Sequence, residues 1–308
     1  MDTHLKIGLI GFGEVGGILT RALREKGVAW VGAWDVLFRD AARGPAMKSR
    51  AKDAGIDACD SLRALLGHAD VAISAVTASN ALDVAREAAE FIRAGSFFLD
   101  LNSASPATKA KAAKLVEAAG AHYVEAGVMT SVPPYGIRVP MLLGGKQAKA
   151  LAENLVPLGF DMTVVDEKIG VASAIKMCRS IFVKGLEAIV IESYTAARRY
   201  GVERQVLASL AETYPEIDWE KQGSYLFSRV VKHGRRRAEE MREAANTVRE
   251  AGFEPWMSAA SAAKQDWIAA LAGDGLFAKL AADPGWREYA DRIIAAQQAG
   301  AAKKRSRA

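Results

Sequence analysis

The stretch Ile7-Gly8-Leu9-Ile10-Gly11-Phe12-Gly13-Glu14-Val15-Gly16 decides how the chain folds. Its apolar start reads as a strand, and the segment after it, Val15–Glu25, has helical spacing of apolar residues. Gly-x-Gly-x-x-Gly therefore sits between a strand and a helix. There Gly11 permits a tight turn, Gly13 lets backbone approach a pyrophosphate, and Gly16 lets the helix pack closely. A helix N-terminus in that position offers unpaired N–H groups and partial positive charge to phosphates. The residues expected to hold a dinucleotide are Gly11, Phe12, Gly13, Glu14 and Val15.

Outward from this turn the rhythm continues. Strands are expected at Leu5–Ile10, Trp30–Trp34, Val71–Ala75, Phe97–Leu101, His122–Ala126, Val139–Leu143 and Met162–Val165. Helical patterns at Leu82–Ile92 and Ala107–Ala118 lie among them. Strands alternating with helices of this length predict βαβ units and a mainly parallel, doubly wound sheet. Asp35 stands at the end of the second strand, where a carboxylate accepts the ribose hydroxyls of NAD and repels the extra phosphate of NADP. NAD is the expected cofactor. Arg39 and Arg43 follow closely and keep NADP open. Val76, Thr77 and Asn102 follow later strands, so they are expected to line the nicotinamide half of the crevice.

After about Gly170 the strand signal ends and long Ala-, Leu-, Arg- and Glu-rich segments take over. Helix breaks are expected at Gly201, Pro215, Gly234, Gly252–Pro255 and Asp283–Gly285. The organisation predicted is a Rossmann-type α/β domain over 1–167 and an all-α domain over 168–308, the latter for substrate and dimerisation.

Composition narrows the class. Half of the 308 residues are hydrophobic and a quarter are charged, enough for a sizeable core without metal or disulfide staples. Cys59 and Cys178 are far apart and lack metal-ligand spacing, which suits a reducing cytosol. No signal peptide is read in the polar start, and Lys184, Glu187 and Glu192 interrupt the apolar run Ile181–Ala197, arguing against a membrane span. The net charge of +5 owes part to Lys303-Lys304-Arg305-Ser306-Arg307, expected to be a frayed, solvated end with no nucleic-acid role.

With these motifs in place the chain resembles the β-hydroxyacid dehydrogenases, the group that includes 3-hydroxyisobutyrate and 6-phosphogluconate dehydrogenases. Gly170-Val171-Ala172-Ser173-Ala174-Ile175-Lys176-Met177-Cys178-Arg179-Ser180 is similar to the family's Gly-x-Gly-x-x-x-Lys-x-x-x-Asn helix. The resemblance implies that Lys176 is the catalytic lysine and that Ser180 occupies the asparagine position. The residues agree: Lys176, Ser180 and Lys184 share one helix face. Apolar Ile175, Met177, Ile181, Phe182 and Val183 around them are expected to desolvate Lys176 and bring it toward a working pKa for proton transfer. The family's Ser-Gly-Gly substrate loop corresponds to Met129, Thr130 and Ser131, followed by Pro133 and Pro134, which lack amide donors. That departure predicts a hydroxy or carbonyl substrate larger or more aromatic than a simple β-hydroxycarboxylate.

The later half resembles a domain of unassigned function attached to phosphogluconate-dehydrogenase-like proteins. In its segment His233-Gly234-Arg235-Arg236-Arg237, His233 reads as a cap or surface residue just before a helix, and the arginines as partners of Glu239, Glu240 or Glu243. Lys264 is weakly similar to a late family lysine. The function expected is hydride transfer between a nicotinamide cofactor and a small-molecule alcohol or carbonyl. An imine reductase and a non-catalytic NAD(H) sensor are the alternatives. Long apolar helices after Gly170 predict a homodimer through the helical half.

Overall fold

A computed structural model describes residues 4–305, with side chains through 299. The chain divides into two compact units, one of 1–178 with 250–252, the other of 179–249 with 253–308.

The first unit is built on eight strands: β1 (Lys6–Ile10), β2 (Trp30–Trp34), β3 (Asp57–Ala58), β4 (Val71–Ser74), β5 (Phe97–Asp100), β6 (His122–Val128), β7 (Pro140–Gly144) and β8 (Asp161–Asp166). Their order is β3-β2-β1-β4-β5-β6-β7-β8, parallel throughout except between β6 and β7. Helices α1 (Glu14–Glu25), α2 (Gly44–Asp53), α3 (Leu62–His68), α4 (Ala81–Ala89), α5 (Pro106–Ala118) and α6 (Ala148–Leu155) connect them. Strand order reverses between β1 and β4, the place where open α/β sheets bind ligands. Two apolar clusters cover the sheet: Leu9, Ile73, Leu99 and Val124 lie in one, and Ile10, Ala72, Phe98 and Tyr123 in the other. This alternation along each strand is what a sheet buried on both faces requires.

The long helix α7 (Val171–Tyr200) begins in the first unit and continues into the second. The expected boundary at Glu167 lies between β8 and α7, whereas the compact units part inside α7, after Cys178. The second unit adds α8 (Glu203–Thr213), α9 (Trp219–Glu250), α10 (Trp256–Gly273) and α11 (Trp286–Arg305). Its core gathers on Trp286, which is fully buried against Tyr194 and Phe227 at ring-centroid distances of 4.8 and 6.4 Å.

The helix break expected at Gly234 falls one residue earlier, at His233 (φ −134°, ψ 15°), where two helical segments meet within α9. The glycine is there for close packing, because a Cβ on it would lie 2.9 Å from the Gln265 carbonyl oxygen and 3.0 Å from the Ala269 Cβ. His233 accordingly stands at the junction, just before the second helical segment. Of the basic tail, Lys303 to Arg305 continue α11, and Ser306 and Arg307 lie outside the described residues.

Candidate functional site

Ile10, Ser74, Asp100 and Glu125 stand in register on the adjacent parallel strands β1, β4, β5 and β6. Their following residues therefore share one edge of the sheet, the carboxyl edge. Gly11 turns there with φ +97°, and a Cβ on it would lie 2.5 Å from the Ala75 carbonyl oxygen. A Cβ on Gly16 would lie 2.0 Å from the Gly11 carbonyl oxygen, so the first turn of α1 folds back on the loop itself. Gly13 faces open space, and no side chain among the described residues caps α1. An uncapped helix start with an open approach fits a dinucleotide pyrophosphate.

The residues expected to hold the cofactor differ in exposure. Gly13 and Glu14 are exposed and Val15 is half-buried at the start of α1. Phe12 is different: its ring is buried against Phe38, and its backbone is already engaged. Its N–H donates to Asp35 Oδ2 at 2.8 Å, and its carbonyl accepts from Arg50 at 2.5 Å. Asp35 also accepts from the Leu37 N–H at 2.8 Å through Oδ1, leaving each carboxylate oxygen one further lone pair. Arg39 donates to the Asp60 carbonyl, and Arg43 pairs with Asp40 at 2.9 Å. That hydrogen bond to the Arg43 side chain holds the Asp40 carboxyl down at about 2.

Asn102 bridges two strand ends. Its Oδ1 accepts from the Val76 N–H at 2.7 Å, and its Nδ2 donates to Ser74 Oγ at 2.9 Å. Behind it, Asp100 accepts from the Asn102 N–H, from Tyr123 Oη at 2.6 Å and from Lys109 Nζ at 2.9 Å, all buried. Burial, then the Asp100 charge, pushes the Tyr123 phenol well above its ordinary pKa. Thr77 is exposed and accepts from Asn80 Nδ2 at 2.9 Å.

Lys176 reaches the same edge. A Cβ on Gly127, two residues beyond Glu125 in β6, would lie 2.9 Å from the Ala172 carbonyl oxygen and 3.4 Å from the Lys176 Cβ. The bare backbone of Gly127 thus admits the first turns of α7 against the end of β6. Lys176 is half-buried there, but its surroundings are less apolar than expected: Met177 is buried, while Ile175 and Phe182 are 41% and 75% exposed. Ser180, one turn on, belongs to the second unit and is buried, accepting from Lys184 Nζ at 3.1 Å. Lys184 pairs with Glu240 at 2.7 Å. Met129 and Ser131 are half-buried and Thr130 is exposed; the Met129 N–H is taken by the Pro140 carbonyl at 2.9 Å.

Arg236 pairs with Glu240 at 3.8 Å, one of the partners expected. Arg237 instead makes a buried, two-pronged pair with Glu187 on α7. Sequence reasoning passed over Arg50, Lys109, Tyr123 and Glu125. For Glu125 the available signal was a charge inside an otherwise apolar strand, since a buried charge needs a partner; Arg50 and Lys109 lie on helices α2 and α5 and carried no such signal.

Comparison with known proteins agrees with this architecture. Residues 6–149 match the NAD binding domain of 6-phosphogluconate dehydrogenase, and 197–268 match a domain of unknown function, DUF1932. The chain is 30% identical over 258 residues to an uncharacterized 28.5 kDa protein of Methanothermus fervidus, covering 82% of this chain and 94% of that one. A conserved hypothetical protein from Sinorhizobium meliloti 1021 has a structure 36% identical, covering 95% of this chain and 96% of its own, with a TM-score of 0.75. A conserved protein of unknown function, described as structurally similar to 3-hydroxyacid dehydrogenases, is 32% identical. The match covers 87% of this chain and 99% of that one, with a TM-score of 0.66.

Proposed function

The chain belongs to the 3-hydroxyacid dehydrogenase-like family that joins a 6-phosphogluconate dehydrogenase-type NAD-binding domain to a DUF1932 domain, and from that premise we propose that it is a nicotinamide-dependent dehydrogenase or reductase with Lys176 as its proton donor and acceptor. The observation that carries the proposal is the placement of Lys176 against Gly127, on the sheet edge that also holds the Gly11–Gly16 turn. A bound nicotinamide supplies the hydride acceptor for oxidation, or the donor for reduction. Lys176 Nζ takes the substrate hydroxyl proton as the carbonyl forms and returns a proton to the oxygen in the reverse direction. The N–H groups at the start of α1 hold the pyrophosphate, and Asp35 uses its remaining lone pairs for ribose hydroxyls.

NAD is the preferred cofactor in this reading. Asp35 opposes a 2′-phosphate, while Arg39 and Arg43 are engaged with Asp60 and Asp40. Met129, Thr130 and Ser131 border the substrate. With the Met129 amide already used and two prolines following, the loop suits a larger or more aromatic alcohol or ketone than a small β-hydroxycarboxylate. Ile175, Phe182 and Ile189 are exposed at seven-residue spacing along α7, which supports a homodimer seam between two copies. Sedimentation tests it: Phe182→Glu is expected to be a monomer, and a dimeric variant refutes the seam.

The decisive experiment combines NADH and NADPH fluorescence titration with turnover on a panel of alcohols, ketones and imines. Lys176→Ala is expected to bind NADH as the parent does and to lose on the order of a hundredfold in turnover. Full activity in that variant overturns the mechanism. Turnover of imines alone identifies an imine reductase, and NADH binding with no turnover identifies a sensor.

A further inference from the structure

The α7 helix starts without a side chain of its own to cap it. Its N-cap position is Gly170, with φ +106°, and the nearest hydroxyl, Ser173 Oγ, donates to the Gly170 carbonyl and so does nothing for the free amides. The acceptor comes from another strand. Glu125 Oε1 accepts from the Gly170 N–H at 2.7 Å and from the Ala172 N–H at 3.1 Å. Glu125 is fully buried, and its Oε2 has no hydrogen-bond partner among the described residues. Two glycines clear the space for this contact. A Cβ on Gly144, opposite Glu125 in the β6–β7 pair, would lie 2.6 Å from Glu125 Oε1. A Cβ on Gly127 would push against the Ala172 carbonyl and Lys176.

From this geometry we infer that Glu125 is a positioning residue for Lys176: its buried carboxylate is the N-terminal anchor of α7 and fixes where the lysine stands on the carboxyl edge of the sheet. A carboxylate on the first amides of a helix satisfies donors that otherwise lack partners, and it opposes the positive end of the helix dipole. The anchor lies four residues before Lys176 at Ala172, about one helical turn away. A shift of the first turn is therefore transmitted to the lysine with little loss. A fully buried charge with a single engaged oxygen is expensive to keep for packing alone. The inference rests on the assignment of Lys176 as the proton-transfer residue, and its test separates the two.

The test uses the full chain with Glu125→Gln and Glu125→Ala; the glutamine variant keeps the volume and one acceptor in case the alanine variant fails to fold. Lys176 is acylated competitively with a small anhydride across a range of pH, and the extent of labelling at that residue is read by mass spectrometry. The expected result is a displaced pH midpoint or at least a threefold change in Lys176 labelling, with NADH affinity within about twofold of the parent. Turnover is expected to fall roughly tenfold to a hundredfold, mainly in kcat, as a misplacement of about 1 Å produces. Unchanged Lys176 labelling and an unchanged pH profile, with only thermal stability reduced, overturn the inference. Full activity of Lys176→Ala overturns the proposed mechanism instead, and in that case a labelling change in the Glu125 variants still establishes the anchor.

Discussion

Replacing Lys109 by methionine is the sharpest test of how the carboxyl edge is held in place. Lys109 and Asp100 are each 1% exposed, and the lysine Nζ lies 2.9 Å from Asp100 Oδ1 and 3.0 Å from the Asp100 carbonyl oxygen. Methionine keeps the apolar stem and opens little cavity, so the loss is mainly electrostatic. Removing one member of a buried pair costs about 3–5 kcal/mol, because the other charge is left uncompensated. Asp100 retains two donors, Tyr123 Oη and the Asn102 N–H, which places the cost at the lower end, about 3 kcal/mol. Against a total of about 5–15 kcal/mol that is a large share. It corresponds to a fall in Tm of roughly 6–12 °C at about 2–4 °C per kcal/mol.

Urea unfolding followed by circular dichroism reads this directly as a lower midpoint with an unchanged slope. The double variant Asp100→Asn with Lys109→Met is the control, since it removes the stranded charge and is expected to regain at least part of the loss. NADH affinity should weaken several-fold in Lys109→Met, because Asp100 holds Asn102, and Asn102 holds Ser74 and the Val76 amide at the cofactor edge. A Lys109→Met protein within about 1 kcal/mol of the parent, or a double variant no better than the single one, refutes this account of the cluster.

Gly234→Ala is expected to destabilise the helical unit by about 1–3 kcal/mol in urea through overpacking against Gln265 and Ala269, despite alanine's better helix propensity; a neutral or stabilised variant refutes that close approach. Tyr123 gives a pH dependence with a definite sign. Its folded pKa is raised above about 10, so the stabilisation it provides is complete below pH 10 and is lost as pH rises from there toward the folded value. Tyr123→Phe is expected to be about 1.5–3 kcal/mol less stable at neutral pH and to decline less steeply above pH 10; parallel decline of the two proteins from pH 9 upward refutes the assignment.

Much of the first unit was legible because its signals are local. A glycine turn, β-branched runs and helical spacing each depend on a few neighbouring residues, and seven of the eight strands were read to within two residues at each end. The exception, Asp57–Ala58, is too short for a periodic pattern and exists through its pairing with Gly32 and Ala33. Gly234 marks its helix break to within one residue, but its packing role was not legible. A glycine beside a helix break and one that admits a neighbouring helix look alike in sequence, and only the position of Gln265 and Ala269 shows that Gly234 is both. Arg237 is similar: near neighbours Glu239, Glu240 and Glu243 were the visible partners, while its actual partner Glu187 lies 50 residues away.

At the candidate site, motif and geometry divide the work differently from what spacing suggests. A motif marks residues near the ligand without saying which of their groups are already spent. The Phe12 amide is bound to Asp35 and the Val76 amide to Asn102, so these two shape the crevice and leave donation to the start of α1. Asp35 braces the glycine turn through Phe12, accepts from the Leu37 amide, and keeps one lone pair on each oxygen. An Asp35→Ala change therefore loosens the turn as well as removing a ribose contact, and weakened NADH binding in that variant alone does not separate the two. The two effects part on comparison with Asp35→Asn, which keeps one acceptor oxygen for the Phe12 or the Leu37 amide and removes the charge that opposes a 2′-phosphate. Asparagine there costs about 1–3 kcal/mol for the amide it strands, which weakens both cofactors alike, whereas loss of the charge narrows the preference for NADH over NADPH; an unchanged preference would remove the Asp35 charge from cofactor selection.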